Sequence, residues 1–153
     1  MNMVKTLASA TLAFCCLAAF GQGEPPSLTV NLPANAKAGA TVKATLTLTF
    51  ADGLHGYQNP PSDPDLIPVA VSVNTKGVKL KNIAYPAGKA ESVGGDPKPV
   101  KVYEGTIKIP VVVVLPKTKG NLKIRFDAHY QECNDQSCFP PSDVFATATV
   151  KVK

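Results

Sequence analysis

The sequence predicts an all-β, immunoglobulin-like sandwich of about seven or more strands. Three observations carry that expectation. Pro and Gly recur along the chain, 14 and 11 in 153 residues. No long stretch shows the 3.6-residue period of an amphipathic helix. Several segments alternate apolar and polar residues with period 2, which marks strands with one buried face.

The elements follow in order. Ser27 to Leu32 is a short first candidate. Thr41 to Phe50 alternates cleanly, with Val42, Ala44, Leu46, Leu48 and Phe50 on one face and Thr and Lys on the other. Val69 to Asn74 and Val78 to Ala84 are shorter candidates, and Val102 to Leu115 is a longer one. Asn121 to Gln131 places Leu122, Ile124, Phe126, Ala128 and Tyr130 inward, with Lys123, Arg125, Asp127 and His129 outward. Val144 to Val152 repeats the pattern through Val144, Ala146, Ala148, Val150 and Val152. Two stretches read as long loops without secondary structure. Asp52 to Pro68 is rich in proline and contains His55-Gly56-Tyr57, and Pro86 to Pro99 is centred on Gly94-Gly95-Asp96-Pro97. Loops of such length are often functional.

Residues 1–21 read as a secretory signal peptide. Lys5 provides the basic start, Leu7 to Phe20 the apolar stretch, and Ala19-Phe20-Gly21 the small residues before cleavage. That stretch is short for a membrane span, as is Pro110 to Leu115. A lipid anchor at Cys15 or Cys16 is disfavoured by the bulky Phe14 before them. Residues 22–153 form one expected domain, exported to the periplasm or secreted. Cleavage leaves Cys133 and Cys138 as the mature chain's two cysteines, an even pair that suits an oxidising compartment. The net charge of +5 comes from dispersed lysines. No basic cluster interleaved with aromatics points to nucleic acid, no cofactor motif or nucleophile–base constellation stands out, and a monomer is expected.

The cysteines lie in His129-Tyr130-Gln131-Glu132-Cys133-Asn134-Asp135-Gln136-Ser137-Cys138-Phe139-Pro140-Pro141. A disulfide needs Cα atoms within about 7 Å, so the chain must reverse between them. Asn134, Asp135 and Ser137 suit a reversal. Closing so short a loop stabilises by only about 2 kcal/mol in the chain-entropy model. Strained or exposed disulfides tend to be the labile, exchanging ones. By spacing alone, a hairpin staple and an exchanging pair stand level. Pro140 and Pro141 are expected to end strand pairing, with room for a cis bond before one of them.

The run Tyr130-Gln131-x-Cys133-x4-Cys138-x-Pro140-Pro141 resembles the signature of the N-terminal periplasmic domain of the thiol–disulfide interchange protein DsbD, the "disulfide bond corrector" domain family. Asp52-Gly53-Leu54-His55-Gly56-Tyr57 and Val102-Tyr103-Glu104-Gly105 resemble two further family segments. The resemblance implies an immunoglobulin-like sandwich with the cysteines on a hairpin at one end. It implies electron transfer between a thioredoxin-like domain and periplasmic disulfide isomerases or cytochrome c maturation factors, through mixed disulfides. Cys133 would attack and Cys138 would resolve. Tyr57 and His55 match positions of aromatics beside the cysteines, and Pro86–Pro99 corresponds to a cap loop. Here the tip Ala90-Glu91-Ser92-Val93-Gly94-Gly95 has no aromatic, and Val93 is its one bulky apolar residue. The family's transmembrane and thioredoxin-like domains have no counterpart in these 153 residues, so the electron source is expected on a separately encoded membrane protein.

Glu132 and Asp135 flank the pair, and their charge disfavours a thiolate. His129, with the side-chain parity of Cys133, would offset this if close. Two other readings compete: an extracytoplasmic binding module with a static disulfide, and a metal site of His129, Cys133 and Cys138. The Cys-x4-Cys spacing departs from common zinc pairs, and the expectation is no metal.

Overall fold

The computed structural model describes residues 24–93 and 98–153. The expected signal peptide, with Lys5, Cys15 and Cys16, lies outside the described residues, as do Gly94 and Gly95 of the cap loop. Twelve strands follow one another: β1 (Ser27–Asn31), β2 (Asn35–Ala36), β3 (Thr41–Thr49), β4 (His55–Tyr57), β5 (Ala70–Val73), β6 (Lys79–Ile83), β7 (Lys89–Glu91), β8 (Val100–Glu104), β9 (Thr106–Val114), β10 (Gly120–Tyr130), β11 (Glu132–Cys133) and β12 (Ser142–Val152). They form three sheets, in the orders β1-β3-β9-β6, β2-β12-β10-β5 and β11-β4-β8-β7. Among the described residues these strands pair antiparallel except for the short parallel contact of β2 with β12, and an isolated parallel bridge joins Tyr57 to Pro68.

The first two sheets are the layers of an immunoglobulin-like sandwich. The alternating residues of β3 and β10 meet in its core: Leu46, Leu48, Ile124, Phe126 and Ala128 are fully buried, alongside Ile109, Val113 and Val150. Each large aliphatic or aromatic side chain removed from water in this way stabilises by about 1.5–3 kcal/mol. The outward partners, Lys123 and Arg125 among them, are exposed, so the period-2 expectation holds across both sheets.

The third sheet was not expected, and it carries the cysteines. Val102 to Leu115 reads in the sequence as one strand but is two. Gly105 lies between β8 and β9 with φ of +55°, a left-handed conformation that glycine adopts without a Cβ clash. Its carbonyl accepts the Phe50 N–H at 2.9 Å, which ties the break to the end of β3. The chain thereby leaves the third sheet, where Tyr103 pairs with Gly56, and enters the first, where Thr106 pairs with Thr49.

The two expected loops each contribute a strand to the same sheet, β4 from the first and β7 from the second. β4 lies so close to the main core that a Cβ at Gly56 would stand 2.6 Å from Phe50 Cζ. Only glycine lets this strand pack there. Among the described residues the one cis peptide bond is Asn59–Pro60. The cis bond considered at Pro140 or Pro141 is therefore not found, and both of those peptides are trans.

Candidate functional site

β10 ends at Tyr130, the chain crosses from the second sheet to the third through Gln131, and β11 begins at Glu132. β11 pairs with β4, setting Glu132 opposite Gly56 and Cys133 opposite His55. The reversal after Cys133 is organised by Asn134. Its side-chain oxygen accepts the N–H groups of Gln136 and Ser137 at 2.9 and 2.8 Å, and its own N–H donates to the Ser137 carbonyl at 2.9 Å. This is the Asx-type turn that suits asparagine. The returning arm is held by Phe139 N–H on the Glu132 carbonyl at 2.8 Å and by Gln131 Nε2 on the Phe139 carbonyl at 3.2 Å. Cys133 and Cys138 thus face each other with Cα atoms 4.0 Å apart, joined as a disulfide.

The two sulfurs occupy unlike surroundings. Cys133 is fully buried, whereas Cys138 is exposed. Cys133 packs with Tyr57 and Val102 in a small apolar cluster apart from the main core, with Leu66, Val93 and Val100 partly buried against it. The Tyr57 hydroxyl lies 3.3 Å from Cys133 Sγ and 3.5 Å from Cys138 Sγ. A disulfide sulfur carries no hydrogen, so the phenol O–H is the donor. Burial raises the Tyr57 pKa, which keeps that proton in place at neutral pH.

The cap segment is anchored at its stem. Tyr103, almost fully buried, donates its hydroxyl to the Pro86 carbonyl at 2.7 Å and accepts the Asn59 N–H at 3.3 Å. Gly88 N–H donates to Gln58 Oε1 at 2.6 Å. From this stem, Val93 reaches the Cys133–Tyr57 cluster. An aliphatic side chain stands where the family resemblance calls for an aromatic.

The remaining expected site residues divide. His55 is buried and sets its ring edge-on to Tyr57, centroids 6.0 Å apart. Its pKa is lowered by burial, against smaller opposing effects of Glu104, Asp135 and Glu91. Glu132 is only 2% exposed, and its Oε1 has no hydrogen-bond partner. Burial raises its pKa, with Glu24 adding to the rise. Tyr130 is buried, edge-on to Phe50 at 6.4 Å. Tyr130, Glu132, Phe139 and exposed Pro140 line a cleft of about 370 Å³, together with Pro25.

One expectation needs correction. His129 does not share a face with Cys133. The sheet changes at Gln131, so equal parity along the chain no longer means a common side, and His129 Nδ1 is engaged by Asp143 Oδ1 at 3.0 Å. The set His129, Cys133 and Cys138 accordingly does not gather as ligands: both sulfurs lie in the disulfide and the imidazole faces Asp143. Of the two cysteines, Cys133, expected as the attacker, is buried in the disulfide and Cys138 is exposed. Sequence reasoning missed Val102 and Leu66 as walls of the cysteine pocket, and Glu104 as the cross-strand neighbour of His55. The alternation of Val100, Val102 and Glu104 was the available signal for β8.

The family described as "Thiol:disulfide interchange protein DsbD, N-terminal" matches residues 26–149. No individually curated protein matches the chain. Among solved structures, the N-terminal periplasmic domain of ScsB from Proteus mirabilis aligns over 82% of this chain and 46% of its own, with 14% identity and a TM-score of 0.54. This chain therefore spans less than half of that structure. The DsbD N-terminal domain of Neisseria meningitidis in its reduced form aligns over 78% of this chain and 82% of its own, with 16% identity and a TM-score of 0.48. Among the described residues no helix is long and apolar enough to cross a membrane. The sandwich, the cysteine hairpin and the match over nearly all of the described residues lead to one assignment: the chain belongs to the family of N-terminal domains of the thiol:disulfide interchange protein DsbD.

Proposed function

We propose that this protein is a periplasmic thiol–disulfide oxidoreductase that passes electrons between partner proteins through Cys133 and Cys138. The observation that carries the reading is the asymmetry of the disulfide: one sulfur exposed, the other buried under Tyr57 and Val93. Exchange requires an accessible sulfur, an attacking thiolate and a stabilised leaving group. An incoming thiolate attacks Cys138 Sγ, the Cys133–Cys138 bond breaks, and Cys133 leaves as a thiolate. The Tyr57 hydroxyl, already aimed at that sulfur, donates to it. A second thiol of the partner then attacks the mixed disulfide, leaving both cysteines reduced and the partner oxidised. The reverse sequence reduces a partner disulfide. The polarity is thus opposite to the first expectation, with Cys138 forming the mixed disulfide.

The partners that suit this scheme are thioredoxin-like domains and disulfide isomerases or cytochrome c maturation factors, with electrons supplied by a separate membrane protein. Export by an N-terminal signal peptide belongs to the same reading. The deciding measurement is the reduction potential of the pair, from thiol titration in graded dithiol buffers. A value near or above about −230 mV falls in the range of exchange proteins, and one below about −300 mV marks a structural disulfide. The latter would make the protein a binding module with a static disulfide.

A further inference from the structure

Cys133 and His55 are directly opposite each other in the β11–β4 pair. Such residues project to the same face, with Cβ atoms about 4.5–5.5 Å apart. Tyr57, two residues beyond His55, shares that face and meets the imidazole edge-on at an interplanar angle of 76°. Imidazole, phenol and buried sulfur therefore lie together on one side of the third sheet. His55 is 4% exposed, and its Nε2 has no hydrogen-bond partner. Leaving a buried polar atom unpaired is costly, and this one is kept across the strand pair from Cys133.

The groups around the ring are mostly acidic. Glu104 on β8 is the cross-strand neighbour on the other side, and its Oε2 is 3.6 Å from Lys89 Nζ of β7. Glu91 of β7 and Asp135 of the hairpin also act on the imidazole, each favouring its charged form. Burial opposes them and is the larger effect, so the ring is neutral at neutral pH. The carboxylates remain near enough to support a short-lived imidazolium.

We propose that His55 is the base that takes the proton from the buried Cys133 thiol when the protein reduces a partner disulfide. The inference rests on the exchange reading. The Cys138 thiolate first attacks the partner disulfide, forming a mixed disulfide and releasing one partner thiolate. The Cys133 thiol then gives its proton to His55 Nε2, which presents a lone pair when the ring proton is on Nδ1. Cys133 Sγ bonds to Cys138 Sγ, and the bond from Cys138 to the partner sulfur breaks. The second partner thiolate leaves and is protonated from the imidazolium through solvent. Two electrons pass from the cysteine pair to the partner, and His55 returns to its neutral form.

The test uses the full chain, exported, purified and reduced, with 5,5′-dithiobis(2-nitrobenzoate) as the disulfide. The first aryl thiolate is released by attack from Cys138 and the second by Cys133. The rate of the second release is followed from about pH 5 to about pH 9, a span covering the ordinary imidazole and thiol titrations. In the wild type this rate rises with the ionisation of His55 and then levels. In His55→Gln and His55→Phe it is expected to be about 100-fold lower at neutral pH, the scale of general base catalysis, and to keep climbing toward the thiol pKa. NMR titration of the wild-type imidazole gives a check independent of variant folding: its pKa must coincide with the acid limb of the rate. Unchanged pH profiles in the variants, or an imidazole pKa away from that limb, overturn the role of His55 alone. Wild-type protein that never releases the second thiolate overturns the exchange reading, and this inference with it.

Discussion

The Tyr57 hydroxyl stands 3.3 Å from Cys133 Sγ, although 76 residues separate the two along the chain. β4 and β11 bring them together, and the proton on the phenol makes the contact a directed one. Replacing it by Tyr57→Phe keeps the ring and removes the donor. A hydrogen bond to a charged group is worth about 1.5–3 kcal/mol, and the leaving Cys133 sulfur is charged. Reduction of the disulfide by dithiothreitol at neutral pH should slow by about tenfold or more on that scale. Stopped-flow kinetics would read this directly, and an unchanged rate would remove Tyr57 from the mechanism.

The unequal exposure of the sulfurs predicts unequal reactivity of the single thiols. In Cys133→Ser the remaining Cys138 is exposed and should be alkylated readily in the native protein. In Cys138→Ser the remaining Cys133 is buried, and labelling should be slower by roughly a hundredfold, because reaction requires both access and thiolate formation. Mass spectrometry after timed maleimide treatment measures both. Similar native rates would place the open sulfur elsewhere than on Cys138.

Val93 packs against the Cys133 and Tyr57 cluster from the cap segment. Val93→Ser should therefore leave thermal stability almost unchanged, since the side chain is only partly buried, while speeding reduction by small thiols several-fold, access being one determinant of exchange rate. Val102→Ala, at a fully buried wall of the same cluster, should instead lower stability by about 1–3 kcal/mol through a cavity. If the two substitutions act alike on stability and on rate, Val93 is part of the core and does not serve as a cover.

Glu132 predicts a pH dependence with a definite sign. Its carboxyl pKa is raised in the folded protein, chiefly by burial. The folded state then binds a proton more readily than the unfolded state between the ordinary and the raised value, so stability from this group is present below the ordinary carboxyl pKa and is lost as pH rises through the raised one. Glu132→Gln removes that loss. It should raise Tm at neutral pH, with a gain on the order of 1–3 kcal/mol for a buried, unpaired polar oxygen, and the gain should fade on acidification toward about pH 4, near the ordinary carboxyl pKa. Calorimetry across that range decides it. A gain that is constant with pH would mean that ionisation of Glu132 is not its source.

Gly56→Ala tests the packing that positions β4. The added Cβ would meet Phe50 Cζ at 2.6 Å, and overpacking of this kind costs about 1–3 kcal/mol. Because β4 carries both His55 and Tyr57, the substitution should also alter the rate of disulfide reduction. Loss of stability with unaltered kinetics would show that the site tolerates displacement of the strand.

The sandwich was legible because its signal is local. Leu46, Leu48, Ile124 and Phe126 alternate with polar residues, and alternation follows from strand geometry whatever the strand pairs with. The cysteine motif was legible for the same reason: Asn134 and Ser137 prescribe the turn within their own few residues. The third sheet was not. Its strands are short, and β4, β7 and β11 have two or three residues each, too few for a period to register. His129 was misplaced because parity was carried across a change of sheet at Gln131.

By itself, the sequence determined the layers, their buried faces and a closable cysteine pair, all consequences of spacing along the backbone. Only the tertiary structure decided which sulfur is exposed, that the Tyr57 hydroxyl lies within reach of both sulfurs, that Val93 packs against the Cys133 cluster, and that His55 rather than His129 faces Cys133. Those relations depend on pairing between strands far apart in the chain. Pairing is settled by the whole core, through contacts such as Gly56 on Phe50 and the turn at Gly105, and no short segment encodes it.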